Sequence, residues 1–382
     1  MPTIVELAVP HLVPAVPGWA VRGWADVSRA ALVEVLGHDD FADPPAASLA
    51  AYANQKHTRK AVLLALSGPA GAGGTVPAAA DDPGDAAAGD PADVLGYARL
   101  DLPLDDNRHL AWIEIAVRAA VRRQGVATAL WAAAEERVRR AGRDVVTAWT
   151  VHGSERPADG DVVRAPTGAG EVRRRDPAAS FALARGFALE QVERHSTLAL
   201  PVAGDRLAAW RSGAQAQAGP DYRIVQWVDR TPDRWVTASA ELQRRMSVDV
   251  PLAGLDVHEE VWDEARVRDA DVARARAGSR YVLSAVEHLA TGSLVAFTQI
   301  DLPQDRPTVA LQDNTLVHGD HRGRRLGLLV KAANLELLAR VQPEVRRLHT
   351  WNAAENRHML AINELMGFRT AGTEGSWQLR LT

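Results

Sequence analysis

Runs of apolar residues divide the first half of the chain into short segments of two kinds. Residues 61–66, 94–102 and 110–117 are apolar or alternate between apolar and polar positions, which predicts β-strands. After residue 125 the spacing changes to that of a helix with one apolar face, on which the following residues recur: Leu130, Ala134, Val138 and Ala141. The pattern therefore predicts strands that lead into helices, which is typical of a mixed α/β domain.

The second half repeats the first at an offset of about 200 residues. Leu100-Asp101-Leu102-Pro103 returns as Ile300-Asp301-Leu302-Pro303, and Arg122 aligns with Arg322 without a gap. The predicted strand 144–150 matches 344–350, and Gly186-Phe187 matches Gly367-Phe368 once a polar insertion at 152–175 is allowed. A fixed offset of this kind indicates two copies of one fold. Each copy reads strand, basic glycine-containing turn, helix, strand, helix, Gly-Phe, strand.

Composition suggests where the copies are joined. Residues 67–93 consist almost entirely of Ala, Gly, Pro and Asp, which predicts a flexible surface loop between two strands. The apolar pattern also thins out at 201–219, before a predicted strand at 222–227. We therefore expect one domain at 1–205 and a second at 206–382.

Bulk composition excludes several classes of protein. The 382 residues contain 47% hydrophobic and 24% charged residues, as in a soluble globular protein. A formal charge of −4 offers no general basic surface for nucleic acid. The chain has no cysteine, which excludes disulfides, thiolate metal sites and a cysteine acyl-enzyme. We find no signal peptide or membrane-spanning run and expect a cytoplasmic protein, a monomer or a homodimer.

The strand ending at Val117 leads into a basic turn, which reads Arg122-Arg123-Gln124-Gly125-Val126-Ala127. A strand that enters a helix through such a turn points free backbone N–H groups at one place, with the positive end of the helix dipole behind them. Gly125 leaves room for a ligand, and Ala127 keeps the first helical turn small. This pattern predicts a pyrophosphate-binding loop.

The turn resembles the hallmark of the GCN5-related N-acetyltransferase (GNAT) family, Arg/Gln-x-x-Gly-x-Gly/Ala, and matches it at Arg122, Gly125 and Ala127. The resemblance implies an α/β (α+β) fold of two tandem GNAT-like domains, each a mixed, mostly antiparallel twisted sheet flanked by helices. Tandem members include the mycothiol synthases. It also implies acetyl-CoA as cofactor, a small-molecule amine as acceptor and direct transfer between them. We expect the following residues of the first copy to bind the cofactor: Val117, Arg122, Arg123, Gln124, Gly125, Val126 and Ala127.

The second copy repeats the loop but departs from the family at Arg325, where the consensus has glycine. The resemblance implies cofactor contacts from the following residues of this copy: Val317, Arg322, Gly323, Arg324, Arg325, Leu326, Gly327, Asn352 and Asn356. For Asn352 and Asn356 a purely structural role, such as capping a helix, is equally compatible with the pattern.

Catalysis needs a proton acceptor, because an alkylamine with a pKa of about 10.4 is almost entirely protonated at pH 7. Asp313, four residues before Val317, is predicted to share a strand face with Leu311 and Thr315, and it resembles the family's carboxylate. By ungapped alignment the first copy has Ile113 there, with Glu114 on the opposite face. Asn363 stands where many relatives have a tyrosine acid. The second copy is therefore predicted to be the active one, with Asp313 and Asn363 at its catalytic site and the first copy as cofactor-binding unit or scaffold.

Other functions remain open from the sequence. A non-catalytic acyl-CoA sensor or assembly module is compatible with the missing tyrosines, at Asn363 and Ala182. His349 and His358 are alternative bases, although single histidines are more often structural. No Gly-x-Gly-x-x-Gly follows a strand as a dinucleotide-binding enzyme requires, and neither His-Glu-x-x-His nor Gly-x-Ser-x-Gly occurs. We expect no metal site.

Overall fold

A computed structural model describes residues 2–10, 16–68, 74–80, 89–154 and 160–381. The chain forms two compact units. The N-terminal unit comprises Met1–Gln191, Gly254–Asp256 and Glu374–Thr382, and the C-terminal unit comprises Val192–Ala253 and Val257–Thr373. Each unit thus contains one sequence copy, except that the last strand of each copy ends in the other unit and that Gly254–Asp256 of the second copy belongs to the N-terminal unit. The domain boundary at 205/206 stays a prediction.

The N-terminal unit is built on a mixed, mostly antiparallel sheet. The strands of this unit are β1 (Thr3–Leu7), β2 (Val16–Pro17), β3 (Thr58–Leu66), β4 (Thr75–Val76), β5 (Ala79–Ala80), β6 (Val94–Pro103), β7 (Leu110–Val117), β8 (Val145–Gly153), β9 (Val162–Arg164) and β10 (Glu171–Arg173), of which β2 and β5 form one separate two-stranded sheet and β9 and β10 another. Its helices are α1 (Trp19–Leu36), α2 (Pro45–Ala53), α3 (Val126–Arg140) and α4 (Pro177–Leu183). The strand order is β8-β7-β6-β3-β1-β4, in which β7–β8 and β1–β4 are parallel.

Helices cover both faces of this sheet, because its strands alternate apolar side chains up and down. On one face Trp24 of α1 and Tyr52 of α2 pack with Val62, Leu64 and Tyr97. The other face lies against α3, whose Leu130 is close to Gly96. The end of the chain completes the sheet beside β8, where the Trp377 indole donates to Thr150 Oγ1 at 2.8 Å.

The C-terminal unit repeats this plan. Its helices are α5 (Gly204–Ala218), α6 (Val236–Asp249), α7 (Glu264–Arg276), α8 (Leu326–Val341) and α9 (Arg357–Met366). Its strands are β11 (Ala188–Ala199), β12 (Tyr222–Val228), β13 (Ser279–His288), β14 (Ser293–Pro303), β15 (Val309–Val317), β16 (Arg347–Ala353) and β17 (Arg369–Arg380), of which β11 and β17 end in different units from those in which they begin. The order is β12-β13-β14-β15-β16-β11, with only β15–β16 parallel. The predicted fold class is confirmed in both units.

The two segments that composition predicts as loop and linker contain regular secondary structure. Residues 69–73 and 81–88 of the predicted 67–93 loop lie outside the described residues, but between them Thr75–Val76 pairs with β1 and Ala79–Ala80 pairs with β2. At 201–219 the thin apolar pattern conceals α5, which buries Leu207, Ala214 and Ala218 in the core under α8. Small alanines suffice there because the helix packs closely.

The helix after each basic loop packs on the Gly-Phe segment, with one difference between the units. Trp131 of α3 contacts Phe187 edge-on at 5.3 Å between ring centroids. At the same position in α8, Lys331 places its Nζ 5.6 Å from the centre of the Phe368 ring, with only 2% of the residue exposed. Burial lowers the pKa of Lys331 to about 7. No helix among the described residues is long and apolar enough to span a membrane.

Candidate active site

The two strand-to-helix loops have the same backbone path. Each has two left-handed residues, at positions 123 and 125 in the N-terminal unit and at 323 and 325 in the C-terminal unit. In the first loop these are Arg123 (φ 63°) and Gly125 (φ 86°), and in the second Gly323 (φ 80°) and Arg325 (φ 56°). The loops have therefore exchanged which left-handed position carries glycine. This explains how the second loop keeps the conformation without the consensus glycine at 325.

Both loops present unpaired backbone donors to an anion. Within the described chain, the N–H groups of residues 123–128 and 323–328 donate no hydrogen bond, as expected at a helix start without a side-chain cap. A Cβ built on Gly125 or Gly323 would meet no atom within 4 Å, so both positions face open space. A diphosphate fits such a donor set, because anions bind where free amides and the helix dipole converge. The helices begin at Val126 and Leu326, with Ala127 and Gly327 in their first turns.

The first arginine of each loop is used to hold the loop itself. Arg122 Nε donates to the Val117 carbonyl at 3.2 Å, and its other nitrogens bind both oxygens of Glu34 at 2.6 Å. Arg322 repeats the bond to Val317 at 3.1 Å and lies 3.9 Å from Asp249. The Arg122 guanidinium accordingly holds the pKa of Glu34 below its usual value.

Two further residues that were predicted to bind the cofactor, Gln124 and Arg324, are exposed on their loops. Gln124 donates to the Ala120 carbonyl at 3.4 Å, and the Arg324 guanidinium lies 5.9 Å from the Tyr222 ring.

An opening lies beside each loop. The parallel strands β7 and β8 pair only as far as Ile113 opposite Ala148, although both strands continue beyond these residues. The parallel strands β15 and β16 likewise pair only as far as Gln312 opposite Thr350. Each loop therefore lies at the end of a strand that has separated from its parallel neighbour. An extended ligand arm can reach the backbone of such unpaired strand ends.

The predicted polar residues near β16 are close together. Asn363 Nδ2 donates to Asn352 Oδ1 at 2.6 Å, while the buried Asn363 Oδ1 has no hydrogen-bond partner in the described chain. Asn356 caps α9 by accepting from the Met359 N–H at 3.2 Å. His349 is buried and stacked on His195, and His358 is exposed. Asn356 thus has a demonstrated structural role, and the catalytic role of Asn363 stays a prediction.

A one-residue β-bulge changes the predicted environment of Asp313. Thr298 pairs with Thr315 and Ile300 with Gln312, so the two residues Asp313 and Asn314 lie opposite Gln299 alone. A bulge brings two successive side chains to one face, which puts Asp313 on the face of Leu311 but not on that of Thr315. The predicted grouping with Thr315 is therefore wrong.

The same register corrects the position of Glu114. The first copy has no bulge here: Arg99 pairs with Glu114 and Leu100 with Ile113. Glu114 is thus the counterpart of the Asp313–Asn314 pair, and Ile113 is the counterpart of Gln312. The ungapped alignment was wrong at this point. The β14–β15 hairpin is one residue shorter than the β6–β7 hairpin, and the extra residue of the bulge restores the offset of 200 residues after it. Glu114 and Asp313 occupy the same face in their respective units.

In the N-terminal unit this face forms a cavity. Its volume is about 230 Å³. Residues from α1, from the segment that follows it and from α2 line the cavity together with sheet residues: Trp24, Ser28, Leu32, Phe41, Asp43, Ser48, Ala51, Tyr52, Lys60, Tyr97, Arg99 and Glu114. The buried Tyr97 hydroxyl donates to Glu114, and burial together with the Glu114 charge raises the pKa of Tyr97. The cavity therefore holds a carboxylate whose direction is fixed by a hydrogen bond.

In the C-terminal unit the same face is filled by a side chain. Arg274 of α7 lies 3.5 Å from both Asp301 and Asp313, and Gln299 donates to the two carboxylates at 2.7 and 3.2 Å. About a third of the Asp313 side chain is exposed, yet burial of the carboxyl and the charge of Asp301 raise its pKa. The remaining cavity is about 20 Å³, room for about one water molecule, and Asp313 does not line it.

Sequence reasoning missed the N-terminal cavity, although a signal for it exists. Tyr97, Arg99 and Asp101 alternate with apolar residues along β6, so a polar row lies on the face where Glu114 also lies. Buried strands rarely carry such a row without a binding role or paired charges. The position of Arg274 at the carboxylates of the C-terminal unit had no comparable signal in the sequence. Its helix α7 has a weak apolar pattern, and within it only Val267 and Asp271 are buried.

Comparisons with known proteins agree with this geometry. The family profile described as the acetyltransferase (GNAT) family matches residues 70–160, which include β7, the first loop and β8. No curated protein matches the chain. A tandem GNAT protein from the clavulanic acid biosynthesis pathway is similar over 99% of this chain and 98% of its own, with 25% identity and a TM-score of 0.68.

Two further structures share the fold at 13% identity. A GCN5-related N-acetyltransferase from Sphaerobacter thermophilus has a TM-score of 0.55, with 98% of this chain and 97% of that chain covered. A glucosamine N-acetyltransferase region in a fungal multi-domain β-N-acetylglucosaminidase has a TM-score of 0.56, with 93% and 37% covered.

Proposed function

We propose that this chain, which contains a GNAT acetyltransferase domain and has the tandem GNAT fold, transfers the acetyl group of acetyl-CoA to a primary amine of a small molecule. The observation that carries the proposal is the loop of unpaired amides at residues 123–128, next to a cavity that contains Glu114. The loop offers donors for a diphosphate, and the cavity offers space and a proton acceptor for an amine. β7 connects the two features, because Glu114 lies on this strand and the loop follows the strand's end at Val117.

We further propose that the acceptor binds in the N-terminal unit. The sequence favoured the C-terminal unit because Asp313 had no evident counterpart, but Glu114 is that counterpart. Asp313 is held by Arg274, whereas Glu114 faces a cavity of about 230 Å³. Drug-sized ligands occupy pockets of about 300 Å³ or more, so a smaller cavity favours a small acceptor. Asp313 and Asn363 remain the candidate catalytic residues should the C-terminal unit act on an amine.

Acetyl-CoA supplies an acetyl thioester to this site. Glu114 takes a proton from the acceptor ammonium group, and the neutral nitrogen forms a bond to the acetyl carbonyl carbon. The carbon–sulfur bond breaks and the thiolate leaves with its electron pair. The second proton of the nitrogen passes to solvent. Tyr97 holds Glu114 in place throughout, because its hydroxyl donates to the carboxylate.

The C-terminal unit supports a second role. Its loop presents the same amides, but Arg274 fills its acceptor face. This combination favours acyl-CoA binding without transfer in that unit, as in the sensor or assembly hypothesis.

Release of free CoA thiol tests the proposal, since a chain without cysteine adds no thiol background. Purified protein is mixed with acetyl-CoA and a panel of primary amines, and acetyl-CoA binding is measured by calorimetry. Ala127→Glu places an anion at the first loop and should weaken binding there, and Arg324→Glu should do so at the second. Ala132→Glu, on the exposed side of α3, is the control. Binding without CoA release from any amine would support the sensor instead, and absence of binding would refute both.

A further inference from the structure

We infer that the acceptor of the N-terminal unit carries, in addition to its primary amine, a separate anionic group, and that Lys60 binds this group. The inference rests on the proposed acetyl transfer at Glu114 and assigns a substrate class to that site. It follows from the charges that line the cavity, from their spacing, and from the contrast with the same face of the C-terminal unit.

Lys60 contributes a positive charge that, in the described chain, is not held in an ion pair, although the charge of Asp101 on the neighbouring strand acts on it and opposes the effect of burial on its pKa. Its Nζ donates one hydrogen bond, to the Ala51 carbonyl at 2.7 Å, and an ammonium group has three donors. Lys60 forms no ion pair with any described residue. Neighbouring Arg99, in contrast, binds Asp101 through two nitrogens, at 2.5 and 3.2 Å. Burial lowers the pKa of Lys60, so a bound anion would compensate for lost hydration.

The positive and negative ends of the cavity lie on different strands. Lys60 of β3 pairs with Asp101 of β6, and Arg99, two residues earlier on β6, pairs with Glu114 of β7. Two strand spacings and two residues separate the Cα atoms of Lys60 and Glu114 by about 12 Å. An acceptor that reaches both side chains therefore has several bonds between its amine and its anion.

The C-terminal unit lacks this pair of charges. Tyr281 takes the place of Lys60, opposite Asp301, and Gln299 takes the place of Arg99. Among the described residues, the only cation that contacts the carboxylates there is Arg274, which comes from a helix and is already paired with both. The unpaired lysine on the acceptor face is thus found, among the described residues, only in the unit where this face has an open cavity.

Three amines with four carbons test the inference in the CoA-release assay: 4-aminobutanoate, its isomer 2-aminobutanoate, and butylamine. We expect kcat/KM to be at least about tenfold higher for 4-aminobutanoate than for the other two, because charge-assisted hydrogen bonds are strong. In Lys60→Met this preference should disappear, while kcat/KM for butylamine should change less than about threefold. Lys60→Arg should keep the preference. The exposed Lys56→Met is the matched control.

A wild-type enzyme without preference among these amines, or a Lys60→Met variant that loses all three activities equally, would overturn the inference. 3-Aminopropylphosphonate in the same assay distinguishes a carboxylate from a phosphate-like anion. If no amine is acetylated, the proposed function fails separately. Calorimetry of the same amines with the CoA-saturated protein then decides the inference: tighter binding of 4-aminobutanoate that Lys60→Met removes supports it, and equal binding refutes it.

Discussion

Glu114→Gln removes the candidate proton acceptor with little change in shape. The glutamine carbonyl oxygen can still accept the hydrogen bond from Tyr97, so the cavity wall should stay in place. Arg99 Nη1 lies 4.0 Å from the Glu114 carboxylate, but Nε and Nη2 of Arg99 donate to Asp101, so the variant leaves no buried cation without a partner. The variant therefore isolates proton transfer from folding.

The size of the effect follows from the acceptor. An alkylamine with a pKa of about 10.4 is about 0.04% neutral at pH 7, so an effective base can raise the reactive fraction by at most about 2,500-fold. General bases contribute about 10²- to 10⁴-fold in enzymes. We expect kcat to fall about 10²- to 10³-fold at pH 7. The deficit should shrink about tenfold per pH unit towards pH 10, because the amine then loses its proton to solvent.

CoA release measured from pH 6.5 to 9.5 tests this expectation, with Glu136→Gln on the exposed side of α3 as the control. The reasoning is refuted if Glu114→Gln keeps wild-type kcat, or if the loss is the same at every pH. It is also refuted if Asp313→Asn, and not Glu114→Gln, abolishes release.

Three further predictions concern stability, measured by urea denaturation. Arg325→Gly should stabilise the protein by about 0.5–1 kcal/mol, because glycine tolerates the left-handed conformation; Arg325→Ala, which keeps the strain, should not. Lys331→Met should stabilise it by about 3–5 kcal/mol at pH 7. Because burial lowers the pKa of Lys331 to about 7, the unfolded chain binds the extra proton between about pH 7 and 10.4, so wild-type stability should rise with pH across that window and the variant's should not. Arg274→Met should destabilise the protein by about 3 kcal/mol, because Asp301 and Asp313 lose their cation. Adding Asp313→Asn should recover part of this loss. An unchanged urea midpoint in Arg274→Met would contradict the role of Arg274 as the partner of both carboxylates.

The repeat and the two loops were predictable because they depend on local signals. The 200-residue offset, the basic turns and the Gly-Phe pairs identified two copies of one fold, and the structure confirms this. The exchanged glycines, Gly125 and Gly323, were visible as a departure from consensus, but only backbone angles reveal that both copies keep the same left-handed positions.

The roles of the two acceptor faces depend on features without a sequence signal. In the C-terminal unit the β14–β15 hairpin is one residue shorter than its counterpart, and the bulge in β15 adds one residue back. The two changes cancel in the ungapped alignment, which therefore assigned Glu114 to the wrong face. Whether a carboxylate on this face meets space or a cation depends on a helix far away in sequence. Arg274 comes from α7, about 40 residues before Asp313, and nothing in its own pattern indicates that it fills a site.

The central claim is that the N-terminal unit holds the amine beside Glu114. A crystal structure with CoA and an N-acetylated product, or with a conjugate of amine and CoA, tests it most directly. The account predicts diphosphate density at the amides of 123–128 and the acceptor nitrogen within hydrogen-bond distance of Glu114, in the cavity under Trp24 and Tyr52. Acceptor density beside Asp313, with Arg274 displaced, would contradict it.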